Sequence, residues 1–150
     1  MDLQGGGVSV MYGPVHEMNG GWCWWGATGY NTNDATRHNL YIDLYRDMYQ
    51  YFTYTKGLNN LIWVWSPDAN RDYQTNYYPG DAYVDIVGID AYTPSPTAQV
   101  IKDAYNNLSG IGKPMALAEI GPNEGSEPNY DYQALITAIH TDYRLSLIQT

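Results

Sequence analysis

The sequence predicts an α/β fold in which parallel strands alternate with helices. Short apolar runs that end at proline or polar residues are typical of strands, and between them apolar residues recur every three to four positions, as on one face of a helix. The segments follow one another in the order β-α-β-β-α-β-α. Strands joined by helical crossovers form parallel sheets, so the sheet is either doubly wound or part of a barrel.

Four segments are predicted as strands. Residues 7–15 alternate apolar and small side chains, and Pro14, which has no amide hydrogen, ends this strand just before His16. The other three strands are "LIWVW" at 61–65, "YVDIVGIDAY" at 83–92 and "PMALAEI" at 114–120.

Three segments are predicted as helices. The first covers 37–52, where aromatic and apolar residues form a stripe that stops before the Lys56-Gly57 pair. The second covers 100–108 with Gly110 as its cap, and the third covers 135–143.

Composition narrows the classes of function. The 150 residues suit one domain, and a net charge of -9 with only seven Lys and Arg excludes nucleic acid and anionic membrane surfaces as natural partners. The sixteen tyrosines and five tryptophans provide rings with a polar group, which suit a wet, sugar-binding cleft as well as a core.

Polar and aromatic side chains collect where the predicted strands end. They are His16, Glu17 and Trp22 after the first strand, Trp65 at the second, Asp90 and Tyr92 at the third and Glu119 at the fourth. The carboxyl ends of parallel strands share one edge, which is where α/β folds place their active sites. Two carboxyl groups at one rim are what glycoside hydrolysis requires, one to donate a proton and the other to attack.

Four ordered segments resemble the signatures of glycoside hydrolase family 26, the endo-β-1,4-mannanases and their relatives. These segments are "HEMNGGWCWWG", "LNNLIWVWSP", "YYPGDAYVDIVGIDAY" and "KPMALAEIGP". The resemblance implies an α/β fold that is a partial (β/α)8 TIM barrel, with about four parallel strands, the family's strands four to seven, and helices on the outer face. It makes residues 1–150 a partial catalytic domain, a C-terminal half-barrel without its final strand, since "TDYRLSLIQT" does not resemble the eighth strand.

The same resemblance implies the roles of the strand-end residues in a retaining reaction on β-1,4-mannan. Glu17 takes the place of the acid/base and Glu119 that of the nucleophile, and a retaining mechanism sets their carboxyls about 5–5.5 Å apart. The substrate-binding positions are His16 at the cleaved linkage, Trp22 lining the cleft, Trp65 at its floor and Tyr92 hydrogen-bonded to the nucleophile.

No cofactor and no metal are expected. The His16-Glu17 pair begins the zinc-protease pattern H-E-x-x-H, but Gly20 stands where the second histidine would be. The polar stretch from Asp68 begins like a calcium loop, but Tyr73 and Pro79 occupy the places of the glycine and the bidentate acid.

Partners and location follow from the resemblance. A polysaccharide, mannan or a related β-glycan, is the expected partner, and an open sheet would leave edges through which the chain could self-associate. The family implies a secreted or cell-surface protein, although residues 1–10 lack the pattern of a signal peptide. Two alternatives stay open: a non-catalytic carbohydrate-binding half-barrel, and a chain that does not fold alone.

Overall fold

The protein forms one parallel sheet whose strands lie side by side in the order of the sequence. The computed structural model describes residues 3–29, 31–143 and 147–148, the last two through their backbone alone. The strands are β1 Val10–Tyr12, β2 Leu61–Trp65, β3 Ile86–Thr93, β4 Met115–Pro122 and β5 Leu147–Ile148. All neighbouring pairs are parallel, and this sequential order is what one part of a barrel requires.

Three helices connect the strands. They are α1 Ala35–Gln50, α2 Gln99–Ser109 and α3 Tyr132–Thr141, with short helical turns at Tyr51–Thr55, Gln74–Tyr77 and Glu127–Asn129. Asp34 and Asp131 cap the first and third helices by accepting hydrogen bonds from backbone amides of the first turn. None of these helices is long and apolar enough to cross a membrane, a finding that covers the described residues.

The predicted order of elements is confirmed, whereas several boundaries differ. The first strand covers three residues instead of nine, because residues 3–7 form turns and Pro14 cannot continue the ladder. The third strand begins at Ile86 instead of residue 83 and runs one residue further, to Thr93. Gly110 caps the second helix as predicted.

Near the end of the chain the structure contains a strand that the sequence did not predict. No strand was predicted in residues 141–150, but Leu147–Ile148 pairs in parallel with Ala116 and Leu117 of β4. Two residues carry too little periodicity to be recognised as a strand, and pairing with an edge of the sheet supplies the hydrogen bonds that define this one. The edges of the sheet are therefore β1 and β5, and self-association through them stays a prediction.

The core lies between the sheet and the helices. Large aromatic side chains fill it on the α1 side, namely Tyr41, Tyr45, Trp63, Trp65 and Tyr77. Further along the same face of the sheet, α2 and α3 contribute Ile101, Ala104, Leu108, Leu135 and Ala138 to this core. This packing holds the strands so that the opposite face of the sheet is left to small and polar side chains.

Candidate active site

The ends of four strands bring polar groups together around a cavity of about 240 Å³. Its lining residues come from β1 and the segment after it, from β2, from β3 and from β4: Met11, Gly13, His16, Val64, Ser66, Asp90, Ala118 and Glu119. Most of these side chains are small, which leaves room above the sheet. The structure thus confirms that the strand ends converge, as the sequence predicted.

A β-bulge in β4 turns Glu119 toward this cavity. Ile89 pairs with Leu117, but the next residue, Asp90, pairs with Glu119, so Ala118 is an extra residue on its strand. Successive residues of a regular strand point to opposite faces, yet both Ala118 and Glu119 line the cavity. Bulges next to active sites commonly redirect a side chain in this way. If the strand alternated regularly through Ala118, Glu119 would lie on the same face as the buried Leu117 and point toward the helices.

His16 stands between two acidic groups. Its Nδ1 lies 3.2 Å from Oδ2 of Asp90 and 3.3 Å from Oε1 of Glu119. The hydrogen bond with Asp90 and the negative charges of Asp90, Glu119 and Glu17 outweigh partial burial and raise the pKa of His16 to about 9. At neutral pH the imidazole is therefore protonated and places a positive charge next to Glu119.

Asp90 was predicted to lie near the end of the third strand, but no role was assigned to it. Its side chain is fully buried, and Oδ2 accepts hydrogen bonds from His16 and from the hydroxyl of Ser66 at 2.9 Å. Oδ1 has no hydrogen-bond partner among the described residues, and burial raises the pKa of Asp90 above its ordinary value. An aspartate inside an otherwise apolar strand was the signal that could have marked it. Ser66 follows the strand "LIWVW" and carried no such signal.

Glu17 lies next to His16, in an environment different from that of Glu119. Its Oε2 accepts a hydrogen bond of 2.7 Å from the indole N–H of Trp22, and carboxylate or ring atoms of Glu17, His16 and Asp90 lie within 4.8 Å of one another. Burial is the main cause that raises the pKa of Glu17, and Glu119 adds to it, while the Trp22 hydrogen bond and His16 oppose the rise. A carboxyl with a raised pKa is suited to donating a proton.

Tyr92 and Trp22 each donate a hydrogen bond to one of the two glutamates. The Tyr92 hydroxyl donates to Oε2 of Glu119 at 3.0 Å, and Asn70 donates to the Tyr92 carbonyl at 3.3 Å. Trp22 is 50% exposed, and the guanidinium of Arg71 lies 5.4 Å from the centre of its ring. Both rings therefore combine an open surface with a hydrogen bond to one of the two glutamates.

The structure places Trp65 in the core and not at the floor of the cleft. The resemblance placed it at the floor of the cleft, but its side chain is 0% exposed and packs edge-on against Tyr78, with ring centroids 5.1 Å apart. Side chains alternate along a strand, so Trp63 and Trp65 face the helices while Val64 and Ser66 face the cavity. Trp65 is a core residue and is not among the residues that line the cavity.

The cluster of His16, Glu17 and Asp90 contains atom types that bind metal ions. Each of the three side chains is already in a hydrogen bond, His16 with Asp90 and Glu17 with Trp22. A cation would have to replace these hydrogen bonds.

Comparison with known proteins gives consistent matches. The chain is 54% identical over 142 residues to a mannan endo-1,4-β-mannosidase A and B of Caldalkalibacillus mannanilyticus, covering 95% of this chain and 27% of that protein. It is 50% identical over 141 residues to a mannan endo-1,4-β-mannosidase of Bacillus subtilis, covering 94% of this chain and 38% of that protein. The chain thus spans well under half the length of these relatives.

A solved structure confirms the fold. The Bacillus subtilis mannanase BCman matches with a TM-score of 0.90 and 45% identity, covering 98% of this chain and 43% of that one. The predicted partial (β/α)8 barrel is therefore correct. The sequence model of glycosyl hydrolase family 26 matches residues 1–149, and the chain belongs to this family.

Proposed function

We propose that this chain carries the catalytic carboxyls of a retaining glycoside hydrolase that cleaves internal β-1,4-mannosidic bonds. One observation carries the proposal: Glu17 and Glu119, 102 positions apart in the sequence, both lie next to His16 at one edge of the sheet. The family membership supports the reaction class, and the names of the relatives support mannan as the substrate.

Glu17 acts as acid and then as base. In the first step a carboxylate oxygen of Glu119 bonds to the anomeric carbon, the glycosidic bond breaks, and the leaving oxygen takes the proton of Glu17. In the second step Glu17 accepts a proton from water, the water oxygen bonds to the anomeric carbon, and Glu119 is released. Partial burial raises the pKa of Glu17 and favours the protonated form that the first step needs.

The surrounding side chains support these two roles. The positive charge of His16 and the hydroxyl of Tyr92 both lie within 3.3 Å of Glu119 oxygens, where they orient the carboxylate for attack. Trp22 holds Glu17 by a hydrogen bond and offers half of its surface to a sugar ring. A separation of about 5–5.5 Å between the two carboxyls, as retaining enzymes require, stays a prediction.

The chain corresponds to a C-terminal part of the catalytic barrel in this proposal. Its relatives are longer, and the matched share of 27% to 38% of their length suits one part of such an enzyme. The polysaccharide substrate is too large to enter cells, which is why secretion or display at the cell surface is part of the proposal.

Substitution of each carboxyl tests the function. We expect Glu17→Gln and Glu119→Gln each to lower the release of reducing sugar from mannan by about 10²–10⁴-fold, because each removes a group that acts in the transition state. Glu124→Gln, which changes an exposed loop glutamate, is the matched control and should retain wild-type release.

The same assay distinguishes the alternative. Wild-type release that survives either substitution would overturn the assignment of that residue. Binding of mannan without any release by the wild type would instead identify a carbohydrate-binding half-barrel, with Trp22 and Tyr92 as its exposed rings.

A further inference from the structure

The backbone that presents His16 and Glu17 is strained. Within residues 15–17, Val15 has a φ of 50° and Glu17 has a φ of 51°, both in the left-handed region. A β-branched residue such as Val15 is rarely found there, and such a conformation is strained. The two left-handed residues lie on either side of His16, so their backbone conformation sets the directions of the neighbouring side chains. Such a conformation persists only where surrounding contacts hold it.

Hydrogen bonds hold this segment at several points. The Glu17 amide donates to the Ser66 carbonyl at 2.9 Å and thereby ties the segment to the end of β2. The Gly20 amide donates to the Glu17 carbonyl, also at 2.9 Å. The carbonyl of His16 accepts a hydrogen bond of 2.8 Å from the indole Nε1–H of Trp25. This last contact joins a side chain to the residue between the two strained positions.

Packing fixes the ring of Trp25 in the position from which it makes this contact. Its partly buried ring packs against the hydrophobic core and meets Trp24 edge-on, with centroids 5.6 Å apart. It is not among the residues that line the cavity. The nearby Trp22 donates to Glu17 and Trp24 is 73% exposed, so three close tryptophans occupy three different environments.

We propose that Trp25 is a positioning residue whose indole N–H, bonded to the His16 carbonyl, holds residues 15–17 in the strained conformation that presents His16 and Glu17. Loss of this donor leaves a partly buried carbonyl unpaired and lets the segment relax. The ring of His16 then moves from its contacts at 3.2 Å with Asp90 and 3.3 Å with Glu119. The consequence for catalysis, although not the geometry itself, rests on the proposed function.

Trp25→Phe tests the proposal, because phenylalanine keeps an aromatic ring and removes the N–H donor. The matched control is Trp24→Phe, the same substitution one position earlier. The titration of the histidine rings is followed by NMR, with the His16 signal assigned through His16→Gln and with His38 and His140 as internal references. The groups that face His16 are Asp90, Glu119 and Glu17, so its pKa changes when the hydrogen bond with Asp90 or the distances to these carboxylates change.

We expect the pKa of His16 to fall by about one unit in Trp25→Phe and to stay unchanged in Trp24→Phe. A second variant replaces Trp25 by benzothienylalanine, in which sulfur takes the place of the N–H, so that the shape is kept if phenylalanine prevents folding. A His16 titration equal to that of the wild type in a folded variant without the donor would overturn the proposal.

Mannan hydrolysis gives a second readout. We expect kcat to fall about tenfold in Trp25→Phe with KM little changed, because the substituted ring does not contact the cavity. If the wild type does not cleave mannan, the histidine titration still tests the role of Trp25. Failure of the proposed function and failure of this inference are therefore distinguished.

Discussion

The two faces of strand β2 differ in the side chains that cover them. On one face Trp63 and Trp65 are buried under α1 among other aromatic rings. On the other face Val64 and Ser66 line the cavity, and Ser66 donates to the buried Asp90. One face is covered by large rings, and the other borders a cavity with a polar network. The residues of the aromatic face therefore stabilise the fold, and those of the cavity face arrange the charges.

The size of the side chains follows the same division. The cavity face of the sheet carries Gly13, Ser66, Gly88 and Ala118, whereas the opposite face carries tryptophan and large aliphatic residues. Gly88 is needed there, since a Cβ would lie 2.7 Å from that of Ser66 and 2.8 Å from that of Ala118. Small residues thus let the strands curve closely together on the side that holds the carboxyl groups.

The largest expected effect belongs to the aromatic face. Trp65→Ala should lower the free energy of unfolding by about 3–5 kcal/mol, because it empties a fully buried indole site. Urea unfolding at pH 7 measures the change. Trp24→Ala, at an exposed indole, is the control and should change stability by no more than about 0.5 kcal/mol. Equal losses in the two variants would show that the aromatic face does not dominate stability.

The next effect concerns the cavity face. Gly88→Ala should cost about 1–3 kcal/mol, because its methyl group meets Ser66 and Ala118 closer than carbon atoms can pack. The same unfolding measurement applies, with Gly110→Ala as control, since a methyl group there meets no atom within 4 Å. If Gly88→Ala is as stable as the wild type, the strands on this face are less tightly fixed than the structure indicates.

The smallest effect is the pH dependence of the polar network. The pKa of His16 is raised from an ordinary 6.5 to about 9, so its ion pairs stabilise the fold fully below pH 6.5 and are lost as the pH rises through 9. The free energy of unfolding should fall over this window by about 1 kcal/mol or less, since the histidine is about one-third exposed and screened by solvent. His16→Gln should flatten this part of the profile. An unchanged slope in that variant would assign it to other groups.

Much of this arrangement follows from local sequence patterns. The strand at 61–65 was predicted with its observed boundaries, and the helices were placed within a few residues. Pro14, Pro67 and Pro94 mark strand ends because proline lacks an amide hydrogen for the ladder. His16, Asp90 and Glu119, which come from three different segments, line one cavity at the edge that parallel strands share.

The directions of the side chains were less accessible. Trp65 was assigned to the cleft, although the alternation of β2 makes it face the helices once Ser66 faces the cavity. Asp90 lies in the middle of its strand, so its role depends on contacts with His16 and Ser66 from two other segments. Such contacts join positions 74 and 24 residues apart and leave no local pattern.

The sequence by itself determined the elements, their order and the chemical groups at the strand ends, because these depend on periodicity, proline positions and residue type. Only the tertiary structure decided where those groups point. The bulge at Ala118, the left-handed backbone at Val15 and Glu17 and the short pairing of β5 with β4 exist because distant segments hold them in place. The bulge and the left-handed residues are unfavourable when considered locally, and the β5 pairing has no signal in the local sequence. Packing of the whole sheet makes each of them part of the state of lowest free energy.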